Sequence, residues 1–470
     1  MTQQNSSGLY TDYYELTMAQ GYFLEGKANE RVVFDYFFRR IPFKGGYVVF
    51  AGLQDMLEAL TSFTYNEQEI AFLQQQGFSP EFLSYLEGFS FSGTIFGCRE
   101  GEVIFPNEPI LRVEATIIEA QLIESMLLNY LNFQSLIASK ASRIVHAAGE
   151  RPVSDFGLRR AQGLGGIHAS RAAFIGGVTS TSNTLAGARY AIPVSGTMAH
   201  SWVQSFPSEI EAFRAYARQY PDGSVLLVDT FNTLESGIPN AIKVANEMQE
   251  RGKSLKAIRL DSGDLAYLSK KARKMLDDHG LQEVKIITSN QLNEYVVQSL
   301  LVQNAPIDMF GVGTEMVTGK PAAALDGVYK LVQLQEHPVI KRSDNLEKIT
   351  LPGKKEVFRY TDKDGLFYAD AVALQNEQTA PDHMLHPTNF AKQCALEKYH
   401  VESLHHKLME AGRIVHSKVS LREIVDYSRR RLAQLPAEHK RLDNPHVYKV
   451  GLSEPLKKLR DKMLHEAAEK

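Results

Sequence analysis

The sequence has little cysteine and no long hydrophobic run. Cys98 and Cys394 are the two cysteines among 470 residues, which excludes a disulfide framework and a cysteine-built zinc site, and favours a reducing compartment such as the cytoplasm. Apolar stretches such as residues 47–53 are far shorter than the roughly 20 residues that cross a bilayer. Residues 1–8 lack the basic and apolar regions of a secretory signal. We therefore expect a soluble chain without a membrane segment.

The sequence also lacks an excess of charge and several familiar motifs. Lys and Arg number 52 against 55 Asp and Glu, a net charge of −3, so no overall field attracts nucleic acid or anionic lipid. The phosphate-binding loop, the dinucleotide-binding glycine motif, the zinc-protease motif and the serine-hydrolase elbow are all missing, which disfavours those enzyme classes. No repeat of 20 to 50 residues is present, which excludes solenoids and propellers.

What is present is an ordinary globular composition, 44% apolar and 23% charged, with short β-rich runs that alternate with amphipathic stretches. Strand–helix alternation predicts a parallel sheet, and this density of runs predicts a closed or nearly closed α/β barrel of about seven to eight strands. An open doubly wound sheet is the main rival fold. The eight runs are residues 153–156, 174–179, 191–195, 225–229, 257–260, 284–288, 307–312 and 329–332.

The rest of the chain has a different pattern. Residues 1–150 mix strand-like and helix-like stretches and predict an N-terminal α+β domain, followed by the barrel over 151–333. Residues 334–470 predict strands and turns that pack back on the N-terminal domain, and then a charged helical extension. The arginine run at 428–431 in that extension is typical of a solvated helix face.

Chemistry-bearing residues follow the predicted barrel strands, where the carboxyl ends of an α/β barrel carry its site. Arginine side chains can pair with a carboxylate or phosphate in two hydrogen bonds, so several of them at one rim indicate a polyanionic ligand. Gly311 and Gly313 can admit an anion to the backbone or form a tight turn. Asp261 can bind Mg²⁺ or ribose hydroxyls, or cap a helix. The rim residues in question are Arg159, Arg160, Thr197, His200, Arg259, Asp261, Gly311, Gly313 and Thr314.

Together these segments resemble the nicotinate phosphoribosyltransferase family. The resemblance is carried in chain order by residues 10–18, 38–42, 156–163, 195–200, 259–264 and 311–314. It implies a type II phosphoribosyltransferase with an irregular α/β barrel and an N-terminal α+β domain. It also implies a homodimer whose sites lie between one subunit's barrel and the other's N-terminal domain.

The reaction implied by the resemblance joins nicotinate to 5-phosphoribosyl 1-pyrophosphate, releases pyrophosphate and nicotinate mononucleotide, and is driven by ATP hydrolysis in NAD salvage. ATP is thus a co-substrate of a ligase-type enzyme, and Mg²⁺ accompanies the pyrophosphate, with Asp261 as a candidate ligand. Because the pyridine nitrogen is already a nucleophile, the protein needs to position it and stabilise charge rather than supply a general base.

The resemblance also implies roles for individual residues. It assigns stacking on the pyridine ring to Tyr14, phosphorylation by ATP to His200, and a catalytic role to Asp261. Nicotinate contacts fall to Tyr14, Thr197, Arg259 and Arg159. Contacts with phosphoribosyl pyrophosphate fall to Thr314, Gly311, Gly313 and Arg160.

Asn183 is the candidate specificity residue. Relatives that use nicotinamide have an aspartate in the corresponding stretch, and a carboxylate there would repel the carboxylate of nicotinate, so the neutral Asn183 favours the acid. The alternatives that stay open are a nicotinamide- or quinolinate-using transferase and a catalytically silent ligand-sensing protein.

Overall fold

The computed structural model describes residues 7–341, 349–389 and 391–466. Residues 1–6, on which part of the expectation about a secretory signal rests, lie outside this described part of the chain. The chain forms two compact units, one of residues 1–136 with 324–470 and the other of residues 137–323. Within the described ranges, no helix is long and apolar enough to cross a membrane.

The helices are α1 Tyr13–Leu24, α2 Leu53–Thr61, α3 Glu67–Gln75, α4 Pro80–Glu87, α5 Ile117–Leu122, α6 Glu124–Ala148, α7 Gly165–Ile175, α8 Thr184–Tyr190, α9 His200–Gln204, α10 Glu209–Gln219, α11 Ile238–Gln249, α12 Leu265–Asp277, α13 Glu294–Val302, α14 Thr314–Val317, α15 Leu421–Gln434 and α16 Glu454–Glu466. The strands are β1 Arg31–Phe38, β2 Val48–Val49, β3 Thr94–Gly97, β4 Val103–Ile104, β5 Leu111–Thr116, β6 Val153–Asp155, β7 Ser180–Thr181, β8 Val225–Leu227, β9 Ala257–Leu260, β10 Lys285–Thr288, β11 Met309–Val312, β12 Gly327–Leu334, β13 His337–Pro338, β14 Lys355–Thr361, β15 Phe367–Leu374, β16 His383–Leu385, β17 Gln393–Ala395, β18 His400–Ser403, β19 His406–Glu410, β20 Arg413–Ile414 and β21 Val450–Leu452.

The unit of residues 137–323 is built on a six-stranded sheet in the order β7-β6-β11-β10-β9-β8. All of its neighbouring pairs are parallel. Helices α10, α11 and α12 bury apolar side chains against strands β8, β9 and β10 in one hydrophobic cluster. This half-barrel confirms the α/β class, and it brings the carboxyl ends of its strands to one edge.

The strand count was predicted too high, since the described part of this sheet has six strands rather than seven or eight. Residues 174–179 include the end of the buried helix α7, because a short apolar run does not distinguish a strand from a buried helix. Residues 191–195 contribute a single parallel bridge, from Val194 to Thr181. Residues 329–332 lie in β12, which belongs to the unit of residues 1–136 and 324–470 and pairs antiparallel with β1 of that unit.

The unit of residues 1–136 and 324–470 contains two larger sheets. One has the order β13-β12-β1-β5-β3-β19-β20 and the other β17-β16-β21-β15-β14-β18. Buried ion pairs join early and late parts of this unit: the Arg359 guanidinium lies 2.6 Å from carboxylate oxygens of both Glu102 and Asp370. The strands and helices after residue 334 therefore share one core with the N-terminal residues.

The arginine run at 428–431 departs from the expected solvated face. Arg429 and Arg430 are exposed, but Arg431 is buried and donates to Glu102 at 2.8 Å and to Glu402 at 2.6 Å. A buried guanidinium needs such partners, and they come from positions far away in the sequence.

Candidate active site

The carboxyl edge of the parallel sheet gathers polar side chains from three adjacent strands. Arg259 lies in β9, whose residues pair in parallel register with those of β10 and β8. Asp261 follows β9, Ser289 follows β10, and Asp229 lies just beyond β8. Because parallel strands end at the same edge, these residues are close together in the fold.

Arg259 is held by three side chains at this edge. Its Nη1 donates to Thr197 Oγ1 at 2.9 Å, its Nε donates to Ser289 Oγ at 2.9 Å, and its Nη2 donates to Asp261 Oδ1 at 2.8 Å. The Ser289 hydroxyl also donates to Asp261. A guanidinium carries five N–H donors, so two remain, one on each terminal nitrogen. Arg259 therefore presents an oriented fork with a free N–H on both Nη1 and Nη2.

His200 begins helix α9 and reaches the same cluster. Its Nδ1 lies 3.1 Å from the Thr230 hydroxyl, and its Nε2 lies 3.8 Å from Asp261 Oδ2. The His200 side chain is 41% exposed, so a bound molecule can reach its ring. When Nδ1 donates its proton to Thr230, Nε2 carries a lone pair toward solvent and Asp261.

Asp229 accepts hydrogen bonds from Asp261 and Ser262, and one of its carboxylate oxygens has no partner among the described residues. Its Oδ2 accepts from the Asp261 backbone N–H at 2.9 Å and from the Ser262 hydroxyl at 2.6 Å. Its Oδ1 is buried and has no hydrogen-bond partner in the described structure. An unpartnered buried carboxylate oxygen beside a second carboxylate suits a hard cation such as Mg²⁺, which prefers oxygen ligands.

Strands β11 and β6 supply the glycine and arginine segments at the same edge. The Gly311 backbone lies so close to the Phe156 ring that a Cβ there would meet it at 2.3 Å, which explains the glycine. The same ring lies 5.4 Å below the Arg259 guanidinium. Gly313 and the exposed Thr314 come next, at the start of the short helix α14. The proposed contacts of these three residues with phosphate remain predictions.

Arg159 and Arg160 lie in the turn after β6. Both side chains are exposed, and within the described ranges neither has a hydrogen-bond or ion-pair partner. Two unpaired guanidinium groups at the strand edge raise the local positive potential and suit an anionic ligand.

Asn183 is buried and takes part in the fold's own hydrogen bonds. Its side chain caps α8 by accepting from Ala186 N at 3.2 Å, and it donates to the Gly166 carbonyl at 3.1 Å and to Ser170 Oγ at 3.2 Å. Its exposure is 1%. An aspartate could accept but not donate in these contacts, so the local fold gives a second reason for an amide. The specificity role of Asn183 stays a prediction.

Tyr14 belongs to the other compact unit, where it lies on α1 with its side chain half exposed. Partial burial and the nearby carboxylates of Glu124 and Glu15 raise the pKa of the Tyr14 hydroxyl well above its ordinary value. The half-exposed ring offers aromatic surface on which a pyridine ring could stack. The stacking of Tyr14 on the pyridine ring stays a prediction.

Four residues of the cluster had been given no role from the sequence. They are Phe156, Asp229, Thr230 and Ser289, which hold Arg259, Asp261 and His200 in place. Phe156 and Asp229 end predicted strands, and Thr230 and Ser289 directly follow predicted strands. This position at the strand edge is the signal that identifies them.

Comparison with known proteins gives the same family over most of the chain. Three family models match: the nicotinate phosphoribosyltransferase N-terminal domain over residues 9–132, the nicotinate phosphoribosyltransferase family over 152–379 and the nicotinate phosphoribosyltransferase C-terminal domain over 354–460.

A nicotinate phosphoribosyltransferase of Bacillus subtilis strain 168 is 42% identical, with 99% of this chain and 96% of that protein covered. The human nicotinic acid phosphoribosyltransferase structure superposes with a TM-score of 0.86 at 31% identity, covering 97% of this chain and 99% of that one. A nicotinate-nucleotide pyrophosphorylase structure from Pyrococcus furiosus shares the fold, with a TM-score of 0.72 at 23% identity and coverage of 91% and 95%. The chain belongs to the nicotinate phosphoribosyltransferase family.

Proposed function

We propose that the chain joins nicotinate to 5-phosphoribosyl 1-pyrophosphate in a reaction coupled to ATP hydrolysis, as a step of NAD salvage. The pyridine nitrogen attacks the anomeric carbon of the ribose, the bond to pyrophosphate breaks, and nicotinate mononucleotide forms. Membership of the family supports this reaction. The arrangement around Arg259 is the observation that ties it to particular residues.

Arg259 binds the nicotinate carboxylate in this proposal. Thr197, Ser289 and Asp261 use three of its N–H groups, and one N–H remains on each of Nη1 and Nη2 to pair with the two oxygens of the carboxylate. The ion pair fixes the pyridine ring in the plane of the fork. Orientation of this kind is the main contribution the protein can make to a nucleophile that needs no base.

The phosphoribosyl group then lies toward the glycine and arginine segments of the same edge. The backbone at Gly311 and Gly313 with the Thr314 hydroxyl binds the 5′-phosphate, and the exposed Arg160 pairs with the pyrophosphate. Arg159 adds positive charge on the nicotinate side. These groups stabilise negative charge that grows on the leaving pyrophosphate.

Mg²⁺ fits beside this pyrophosphate. Asp229, through its unpartnered Oδ1, and Asp261 would hold it together with substrate phosphate oxygens, the usual environment of protein-bound Mg²⁺. When bound, Mg²⁺ neutralises charge on the leaving group. The chain's own part is to keep the two carboxylates in place, which the Asp261 N–H and Ser262 hydroxyl do by donating to Asp229.

His200 couples ATP cleavage to binding. Its Nε2 attacks the γ-phosphorus of ATP, the bond to ADP breaks, and a phosphorylated imidazole forms beside Asp261. The Thr230 hydroxyl oxygen supports this step by accepting a hydrogen bond from Nδ1–H, which fixes the ring. The new negative charge changes the potential of the pyrophosphate site, and later hydrolysis releases phosphate.

The site is completed in a homodimer, where Tyr14 of one copy stacks on the pyridine ring held by the barrel of the other. This part of the proposal rests on the family resemblance. The half-exposed Tyr14 ring supports it.

The decisive experiment incubates the purified chain with phosphoribosyl pyrophosphate, ATP, Mg²⁺ and one of nicotinate, nicotinamide or quinolinate, and separates the products by chromatography. We expect nicotinate mononucleotide as the main product. A higher yield of product from nicotinamide or quinolinate would show that the substrate is that pyridine rather than nicotinate. No product from any of the three would favour a catalytically silent ligand-sensing protein.

A further inference from the structure

A basic cavity lies in the unit of residues 137–323, apart from the cluster around Arg259. It has a volume of about 480 Å³, within the range of small-molecule sites. Helices α10 and α11 and the turns after them form it. Its lining residues are Arg214, Ala217, Arg218, Pro221, Val244, Glu247, Met248, Arg251 and Lys253.

The topology places this cavity toward the opposite edge of the sheet. Helix α10 leads into β8 and α11 leads into β9, so the ends of these helices lie at the amino-terminal edge of the parallel strands. Arg218, Arg251 and Lys253 are in or just beyond those helix ends. The cluster around Arg259 occupies the carboxyl edge.

Helical spacing brings the charged groups to one face. Arg214 and Arg218 are four residues apart on α10, and Glu247 and Arg251 have the same spacing at the end of α11. Arg214 binds Glu247 in a fork, with its Nε 2.9 Å from Oε2 and its Nη2 2.6 Å from Oε1. These hydrogen bonds lower the pKa of Glu247. The one lining carboxylate is therefore ionised and already paired.

Arg218 and Arg251 are left without such a partner. Neither guanidinium has a hydrogen bond or ion pair within the part of the chain that the structure describes. Lys253 pairs with the exposed Asp222 at 2.8 Å, outside the lining. The cavity thus has an excess of positive charge, and its cations repel one another unless an anion lies between them.

We propose that this cavity binds a linear polyphosphate chain, either free or as part of a nucleoside triphosphate. Arg218 and Arg251 supply planar forks that match phosphate oxygens, and Lys253 supplies a further donor. The apolar floor of Ala217, Val244 and Met248 leaves room for more than phosphate alone. The ligand is recognised chiefly through its phosphates.

Hydrogen-exchange mass spectrometry on the full chain tests this site, with tripolyphosphate, ATP and adenosine as separate probes. We expect tripolyphosphate and ATP to protect residues 214–221 and 247–256, and adenosine to leave them unchanged. Protection by ATP alone would identify the nucleotide as the source of the phosphates. Binding of ATP at the carboxyl edge is read separately, from the starts of the same helices at residues 209–213 and 238–243.

The test variant is the double substitution Arg218→Ala with Arg251→Ala, which removes only exposed side chains. We expect it to weaken tripolyphosphate binding at least tenfold. The matched control, Lys243→Ala with Lys270→Ala, removes two exposed cations of α11 and α12 outside the cavity and should bind as the wild type does. Absence of protection in the wild type, or equal protection in the double variant, would overturn the proposal.

Discussion

Replacing Arg259 by Lys tests the proposed recognition of nicotinate. Arginine presents two N–H groups to the carboxylate while three others are held by Thr197, Ser289 and Asp261. A lysine ammonium is a point charge that cannot keep the hydrogen bonds to these three side chains and also pair with both oxygens of the carboxylate. Loss of one charge-assisted hydrogen bond costs about 1.5 to 3 kcal/mol, or about tenfold to 150-fold in kcat/KM.

The assay measures initial rates of mononucleotide formation with nicotinate and with nicotinamide. Nicotinamide has no carboxylate and so loses no ion pair with Arg259. The ratio of kcat/KM for nicotinate over nicotinamide should therefore fall by about the same tenfold to 150-fold. Arg422→Lys, an exposed position on α15, is the control and should leave the ratio unchanged. An Arg259→Lys enzyme whose ratio stays within twofold of wild type would refute the assignment of Arg259 to the carboxylate.

Three further predictions concern His200, Glu102 and His405. His200→Ala should keep slow ATP-independent transfer and lose the stimulation by ATP; unchanged stimulation in a rate assay would rule out its phosphorylation. Glu102→Gln should destabilise the fold by about 3 to 5 kcal/mol, because buried Arg359 and Arg431 lose a charged partner; a drop in unfolding free energy below about 1 kcal/mol would contradict this. Burial, with help from Arg112, lowers the pKa of His405 from 6.5 to about 4, so its neutral form stabilises the fold above pH 6.5 and this contribution is lost as the pH falls toward 4. Between pH 7.5 and 5 the loss is about 2 kcal/mol, and urea unfolding of His405→Gln should lack that part of the decrease seen for the wild type.

Local patterns predicted much of the parallel sheet, because strand–helix alternation reports on βαβ units directly. They also predicted that Thr197 and Arg259 meet, although 62 positions separate them, since parallel strands end at one edge. They failed at residues 174–179, where Phe174 and Ile175 end a buried helix and strand β7 begins only at Ser180, and at 329–332, where the strand pairs with β1.

The sequence pattern could not predict which polar side chains are buried, because their partners lie far along the chain. The run of charges around Arg431 is typical of a solvated helix face, whereas its guanidinium is buried and donates to Glu102. Asn183 was interpreted through its expected ligand, whereas its amide is bonded to Gly166, Ser170 and Ala186. Such environments depend on tertiary packing rather than on local periodicity.

A crystal structure of the full-length protein with nicotinate and phosphoribosyl pyrophosphate bound tests the central claim most directly. We predict that the two carboxylate oxygens of nicotinate lie within hydrogen-bond distance of Nη1 and Nη2 of Arg259, with the 5′-phosphate against Gly313 and Thr314. A nicotinate carboxylate bound elsewhere, with Arg259 still contacting only Thr197, Ser289 and Asp261, would contradict the account.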